Sequence, residues 1–381
     1  MNTSKFYIYF NLIFTLLVYW RRFFGESLIY INILFLFLLI VTFIFKKIPV
    51  NSKSTVKIIF IGFIFSILCL PFNQTFGLGS YIVLFYFFVQ FIYIYIIKLN
   101  PSELKNIFLL NFILCLVYAL LPEPDVNSNS ISQAFFAFGI ATSIFIVPYN
   151  IKRSIIYISF LVFVIWGILN GESRMSLGAF ILYILMRCIP KKYMINRTLI
   201  LSILILLTVG SLVYAYVYTY MWWADTDLMS LENFSSEYSN KHIYSGRQLI
   251  WFEAYNLFLD HPFTGFGSKI ELSSFDSMNL HNSLIALYGI YGCVIGCISL
   301  YLLIKPAYKL SYYLKDPFIR NCFCGYSAAL LMGFNETYLI NYSFIAFFPL
   351  MMAYAKVNYM NNNKLILNSY TYENKFYTSY I

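Results

Sequence analysis

Two arginines and one histidine stand where this apolar chain turns polar. Arg247 lies in Ser245-Gly246-Arg247-Gln248, just ahead of Ile250, Trp251, Ala254, Leu257 and Phe258 at helical spacing. Ser245 and Gln248 fit a capping box, in which each side chain satisfies a backbone N–H of the first turn. That predicts a helix over 245–260 with Arg247 in its first turn, where the helix dipole disfavours a cation. A guanidinium among free N–H groups suits a phosphate or diphosphate; pairing with Glu237, Glu253 or a lipid phosphate is the plainer use of the same charge. His281-Asn282-Ser283 opens the next apolar run. An imidazole there can take a proton from a sugar hydroxyl or donate to a phosphate, and a helix cap is its plainer role.

Arg174 sits in Gly171-Glu172-Ser173-Arg174-Met175-Ser176, a tight connection between two apolar runs. Glu172 and Arg174 facing one cavity would suit a charged lipid head group, whereas snorkelling to the interface needs no ligand. Glu336, at the outer end of a later run, is a candidate for the same cavity, as are Gln248 and Asn282 beside the arginine and the histidine. Asp225-Thr226-Asp227 has the D-x-D form of some metal sites but reads as solvated acid. Cys322-x-Cys324 and Cys293-x3-Cys297 lack partner ligands at zinc spacing and read as buried thiols. No metal site is expected.

The elements that must position these residues are apolar almost throughout. Hydrophobic residues make up 60% of the 381 and charged ones 11%, far from a soluble composition. About twelve apolar runs, each near the length needed to cross a bilayer, extend from 6–20 to 339–357 and include 174–190 and 281–304. They are continuous rather than alternating, so they predict helices and not barrel strands. This divides the chain into helices one to nine over 1–221, a polar loop over 222–280, helices ten to twelve over 281–357 and a polar tail over 358–381. The stretch from Trp222 to His281 holds all three histidines and eight of the sixteen acids. Within it, 245–260 is expected to be amphipathic, lying on the membrane surface or lidding the bundle.

Net charge is +10, yet its distribution argues against a nucleic-acid partner. With loops on alternate sides and Lys5 inside, twenty of the twenty-six basic residues fall on one face, as the positive-inside rule requires. Both termini are then cytoplasmic, the 222–280 loop is periplasmic, and the first run reads as a signal anchor. None of the seven cysteines lies in the loop, so no disulfide framework is implied. Under this topology no charged residue falls deep within a span, which weakens an ion-coupled transporter and favours chemistry at the outer interface.

Ser245-Gly246-Arg247 with Trp251, then Asp260-His261-Pro262-x-x-Gly265-x-Gly267, then His281-Asn282-Ser283-x-x-Ala286-x-x-Gly289-x-x-Gly292 resemble the signature region of the O-antigen polymerase and ligase family. Ser173-Arg174-x-Ser176-Leu177-Gly178 is similar to that family's interfacial arginine before a helix. The resemblance implies an all-α integral membrane protein, GT-C-like, in the bacterial inner membrane. Its reaction would be metal- and cofactor-independent, on undecaprenyl-diphosphate-linked oligosaccharides at the periplasmic face. By position, Arg174 and Arg247 would bind the donor diphosphate, and His281 would orient or deprotonate the acceptor. A polymerase would extend repeat units into O-antigen or capsule, working with a chain-length regulator protein; a ligase would pass glycan to lipid A–core. The Arg-x10-Gly pattern of some polymerases is absent: that offset lands on Leu185 and Phe258. A lipid-linked oligosaccharide flippase, the rival from another class, would place polar residues deep in its spans and lack the large loop.

Overall fold

The computed structural model describes residues 8–9, 12–13, 15, 53–69, 78–120, 128–147, 151–224, 247–267, 280–340 and 344–361. Among them every regular element is helical: α1 (Lys53–Cys69), α2 (Leu78–Ile96), α3 (Pro101–Leu120), α4 (Ser128–Ser143), α5 (Ile151–Asn170), α6 (Arg174–Cys188), α7 (Arg197–Ala224), α8 (Arg247–Asp260), α9 (Ser283–Lys309) and α10 (Pro317–Met332). A last helix, α11, covers 348–361. The run at 27–45, Asp225-Thr226-Asp227, the cap expected at Ser245 and the tail beyond 361 lie outside the described residues.

α10 is the hub. Most of its residues from Phe318 to Met332 are buried, and it packs on α6 and α7. Asp316 starts it, its Oδ1 accepting from the N–H of Phe318 (2.9 Å) and Ile319 (3.1 Å), with Pro317 at the first helical position. Small residues let the neighbours close in. A Cβ on Gly325 would lie 2.9 Å from Ile140 of α4, and one on Gly139 would lie 2.5 Å from Val164 of α5. In an apolar solvent, where burial of hydrocarbon drives little, close approach at small residues is what holds helices together.

The periphery is apolar as well. Phe60 on α1 is 64% exposed and Leu206 on α7 is 68% exposed, and similar residues line the outside of α5. A surface of this kind suits hydrocarbon rather than water. By length and composition three helical stretches can cross a membrane: Ser102–Leu120, Arg197–Thr219 and Ser283–Tyr313. Shorter apolar helices cover Ser80–Ile96 and Ser154–Asn170.

Three runs depart from the single spans expected of them. The run at 174–190 yields α6, 15 residues that stop ahead of Pro190. The run at 339–357 begins with two single turns, Tyr338–Ile340 and Phe344–Ala346, before α11. α11 also continues past 358, because Asn358 donates to the carbonyls of Ile97 (2.8 Å) and Tyr95 (3.3 Å).

The third departure is a break inside α9. Gly292 has φ 81° and ψ 171°, a conformation open to glycine alone. The Tyr288 ring lies 2.5 Å from where a Cβ on Gly296 would be, and its hydroxyl donates to Cys297 Sγ at 3.6 Å. Residues eight and nine apart lie about 12–14 Å apart along a straight helix, so the axis turns sharply here. The backbone groups freed by the turn are met by the segment after α8. Cys293 N–H donates to Pro262 O (2.8 Å), Phe266 N–H to Gly289 O (2.8 Å) and Gly267 N–H to Ile290 O (3.2 Å). Broken helices persist in apolar surroundings only where such partners are supplied by the protein.

Arg187 ends α6 and is engaged there. Its guanidinium donates to the carbonyls of Ser143 (3.0 Å) and Ile146 (2.8 Å), at and just past the end of α4, and lies 4.2 Å over the Tyr157 ring. A cation at a helix C-terminus meets orphan carbonyls and the negative end of the dipole.

Candidate functional site

α8 forms where the helical spacing predicts it, and Ile250, Trp251 and Ala254 are buried against α7 and α9. It is not amphipathic, however. Phe252, Tyr255 and Leu259 are exposed, so apolar residues continue beyond its buried face. Its buried side packs on α7 and α9, and its exposed positions mix these apolar residues with Asn256 and Asp260.

Trp251 fixes this helix to the residue ahead of the histidine. Its Nε1 donates to Leu280 O at 2.7 Å, and its ring clusters with those of Tyr218 (5.4 Å) and Tyr214 (6.0 Å). His281 then adopts φ 48°, left-handed backbone that histidine, asparagine and aspartate enter more readily than other side chains. Asn282 caps α9, its Oδ1 accepting from the N–H of Leu284 (2.9 Å) and Ile285 (3.0 Å). Its Nδ2 donates to Phe334 O (2.7 Å) and to Ser211 Oγ of α7 (3.0 Å).

Ser283 continues the same clamp. Its N–H donates to Gly333 O (2.9 Å), its hydroxyl donates to Glu336 O (2.8 Å) and accepts from Leu339 N–H (3.1 Å). The turn after α10 is thereby held against the start of α9, and that turn carries Glu336.

Glu336 stands between the arginine and the histidine. Arg247 donates from a guanidinium nitrogen to its Oε1 at 3.3 Å, and His281 Nδ1 faces its Oε2 at 3.7 Å. The side chains of Arg247 and Glu336 are only 18% and 10% exposed. Three residues separated by 34 and 55 positions in the chain (247 to 281, and 281 to 336) thus converge on one carboxylate. The His281–Glu336 contact is longer than a hydrogen bond.

The remaining candidates fall into two groups. Gln248 is buried beside Arg247, its Oε1 without a hydrogen-bond partner among the described residues. Asn282, expected as a substrate contact, is fully buried and its amide works on backbone and Ser211 instead; it positions His281 and Glu336. Arg174 and Glu172 are exposed, on the turn between α5 and α6. Glu172 shares with His281 a positive φ, here 53°. Ser173 caps α6, and Ser176 Oγ lies 3.9 Å from Met332 Sδ at the end of α10. This puts the Arg174 turn at the same end of the bundle as Glu336. What the residue types alone did not mark is the clamp made by Ser211, Ser283 and the 333–339 turn; the serine after His281-Asn282 was its one visible sign.

Among the described residues no three His, Cys, Asp or Glu side chains come together. No protein-family model matches the chain, and none of the curated proteins matches it.

Proposed function

We propose that this chain is a membrane-embedded glycosyltransferase. It would join undecaprenyl-diphosphate-linked oligosaccharide repeat units into O-antigen or capsular polysaccharide at the periplasmic face of a bacterial inner membrane. The observation that carries the reading is the convergence of Arg247, His281 and Glu336 at the helix ends that also hold Arg174. The signature-like spacing of Trp251, Pro262, Gly265, Gly289 and Gly292 supports it, since each of these residues has a part in seating α8 on α9.

Glycosyl transfer needs a leaving group made stable and an acceptor hydroxyl made nucleophilic. The bond between the donor sugar's anomeric carbon and the diphosphate oxygen breaks, and the electron pair leaves with the diphosphate. Arg247, with Arg174 across the same end, would neutralise that charge as it develops. As the acceptor oxygen bonds to the anomeric carbon, its proton passes to His281 Nε2. Nδ1 faces Glu336, whose carboxylate would stabilise the imidazolium formed. In the resting state Glu336 also holds Arg247 in place until a diphosphate competes for it.

The test is the surface glycan of a deletion strain. A polymerase predicts core capped by one repeat unit; loss of every unit from the core would indicate a ligase or a flippase instead. His281→Ala and Arg247→Ala should each abolish long chains, out of proportion to any fall in membrane abundance, and normal ladders in both would remove the site assignment.

A further inference from the structure

At the end of the bundle away from Glu336, the starts of α3 and α10, the end of α11 and the segment after α4 enclose a cavity of about 500 Å³. The 16 residues of α10 put about 24 Å between this cavity and the turn that carries Glu336. Two of the apolar spans fix its level. Leu104 and Lys105 of its wall lie in the first turn of the span Ser102–Leu120, and the span Ser283–Tyr313 ends just ahead of its Pro317. That is the depth of lipid headgroups. Lys98, Lys152 and Lys315, all exposed, stand at the same end of the bundle.

The polar side chains of the wall are Lys105, Lys356 and Tyr359, and among the described residues no acid joins them. Lys356 is tied to Asp316 at 2.7 Å, and Asp316 also caps α10. Lys105 is exposed and has neither ion pair nor hydrogen bond among the described residues. The charge left facing the cavity is therefore positive. Most of the remaining wall is hydrocarbon: the Phe145 ring lies 6.0 Å from that of Phe108 and 5.4 Å from that of Phe318. From Lys105 an apolar stripe continues along α3 through Phe108, Leu109, Phe112 and Ile113, at the spacing of one helix face, with Leu109 and Ile113 exposed. A free phosphate would gain from the ammonium and nothing from the aromatic wall. A phosphate carrying acyl chains would gain from both.

We propose that this cavity holds an anionic phospholipid of the leaflet opposite the Arg247–Glu336–His281 cluster, its phosphate at Lys105 and an acyl chain along α3. The positive-inside rule makes that leaflet the cytoplasmic one, whose anionic lipids attract lysines at the surface. Such a lipid would join α3 to the hub helix α10 and to α11. The inference goes beyond the glycosyltransferase reading and does not depend on it, since it needs only helices standing in a bilayer.

The test places the full chain in phosphatidylcholine nanodiscs with a trace of phosphatidylglycerol bearing a diazirine on its acyl chain. Label should map to α3 between Lys105 and Ile113, with unlabelled phosphatidylglycerol competing. Lys105→Gln should lower labelling about fivefold, the worth of one lysine at an anionic headgroup, and Lys105→Arg should retain it. Lys152→Gln, which removes an exposed charge at the same end but outside the cavity, should leave labelling unchanged. Val147→Trp, which fills the cavity from the segment after α4, should also lower it. Size-exclusion retention shows that each variant is folded, and the exposed Lys105 position keeps the test open if Val147→Trp does not fold. Labelling untouched by Lys105→Gln, an equal loss in Lys152→Gln, or equal labelling of this segment by a diazirine-bearing phosphatidylcholine would each overturn the inference.

Discussion

Gly265 and Gly292 occupy left-handed backbone directly against each other. A Cβ on Gly265 would lie 2.6 Å from Gly292 N, and one on Gly292 would lie 2.9 Å from Gly265 N. The turn after α8 and the break in α9 therefore form one joint, closed by the Pro262–Cys293 and Ile290–Gly267 hydrogen bonds. Gly265→Ala and Gly292→Ala should each destabilise the protein by about 1–3 kcal/mol from backbone strain alone, with the clash adding to it. Since one joint fails in either case, the double variant should lose clearly less than the sum. Thermal stability of the detergent-solubilised chain, read by size-exclusion chromatography, checks this; full additivity would mean the two glycines act separately.

Trp251→Phe keeps most of the ring against Tyr214 and Tyr218 but leaves Leu280 O without its donor. The expected cost is about 1–3 kcal/mol for an unsatisfied buried carbonyl. Because that bond ties α8 to the residue before His281, glycan chain length should fall further than protein abundance. If ladder and abundance decline in step, the tryptophan serves packing alone.

Glu336 holds Arg247 in a nearly buried pair, so removing one partner leaves a charge with little water. Glu336→Ala should cost about 3–5 kcal/mol by that argument, and Glu336→Gln, which preserves shape and one acceptor, less. Both should lose polymer. A double-mutant cycle on Arg247→Ala and Glu336→Ala should give a coupling of about 0.5–3 kcal/mol; a value near zero would place the two in separate roles.

His281 combines an imidazole with left-handed backbone, and substitutions can separate the two. His281→Asn and His281→Gly tolerate φ 48° and should leave stability nearly unchanged, whereas His281→Ala should add about 1 kcal/mol of strain. All three should abolish long chains. Activity retained by the asparagine variant would show that the backbone geometry matters and the proton transfer does not.

Asn282 contributes a cap through its oxygen, and through its nitrogen bonds to Phe334 O and Ser211. Asn282→Asp keeps the cap on Leu284 and Ile285 but faces Phe334 O and Ser211 Oγ with an acceptor. It should therefore fail to rescue the loss caused by Asn282→Ala, about 0.5–2 kcal/mol for the cap plus the cost of the orphaned carbonyl. Equal stability of the Asn282→Asp variant and the native chain, measured as above, would confine the residue to capping.

Helices, their apolar character and the helix beginning near Arg247 were legible in composition and spacing, because each depends on residues a few positions apart. Ile250, Trp251 and Ala254 face the core as their periodicity predicts. The chemistry-bearing residues were legible as types at interfaces: an arginine in a first helical turn and a histidine before an apolar run are visible against their own local electrostatics. Three things were not. The run at 281–304 reads as one helix because a glycine inside an apolar helix is common; only the approach of Gly265 shows that Gly292 must break it. α8 reads as amphipathic because Glu253, Asn256 and Asp260 suggest a wet face, and packing by α7 and α9 decided which residues are covered. That Glu336 lies between Arg247 and His281 depends on Asn282 and Ser283 bonding a turn more than fifty residues away. Local spacing determines which groups a chain can offer, but distances between groups far apart in sequence are set by how helices pack and where their unpaired backbone finds partners.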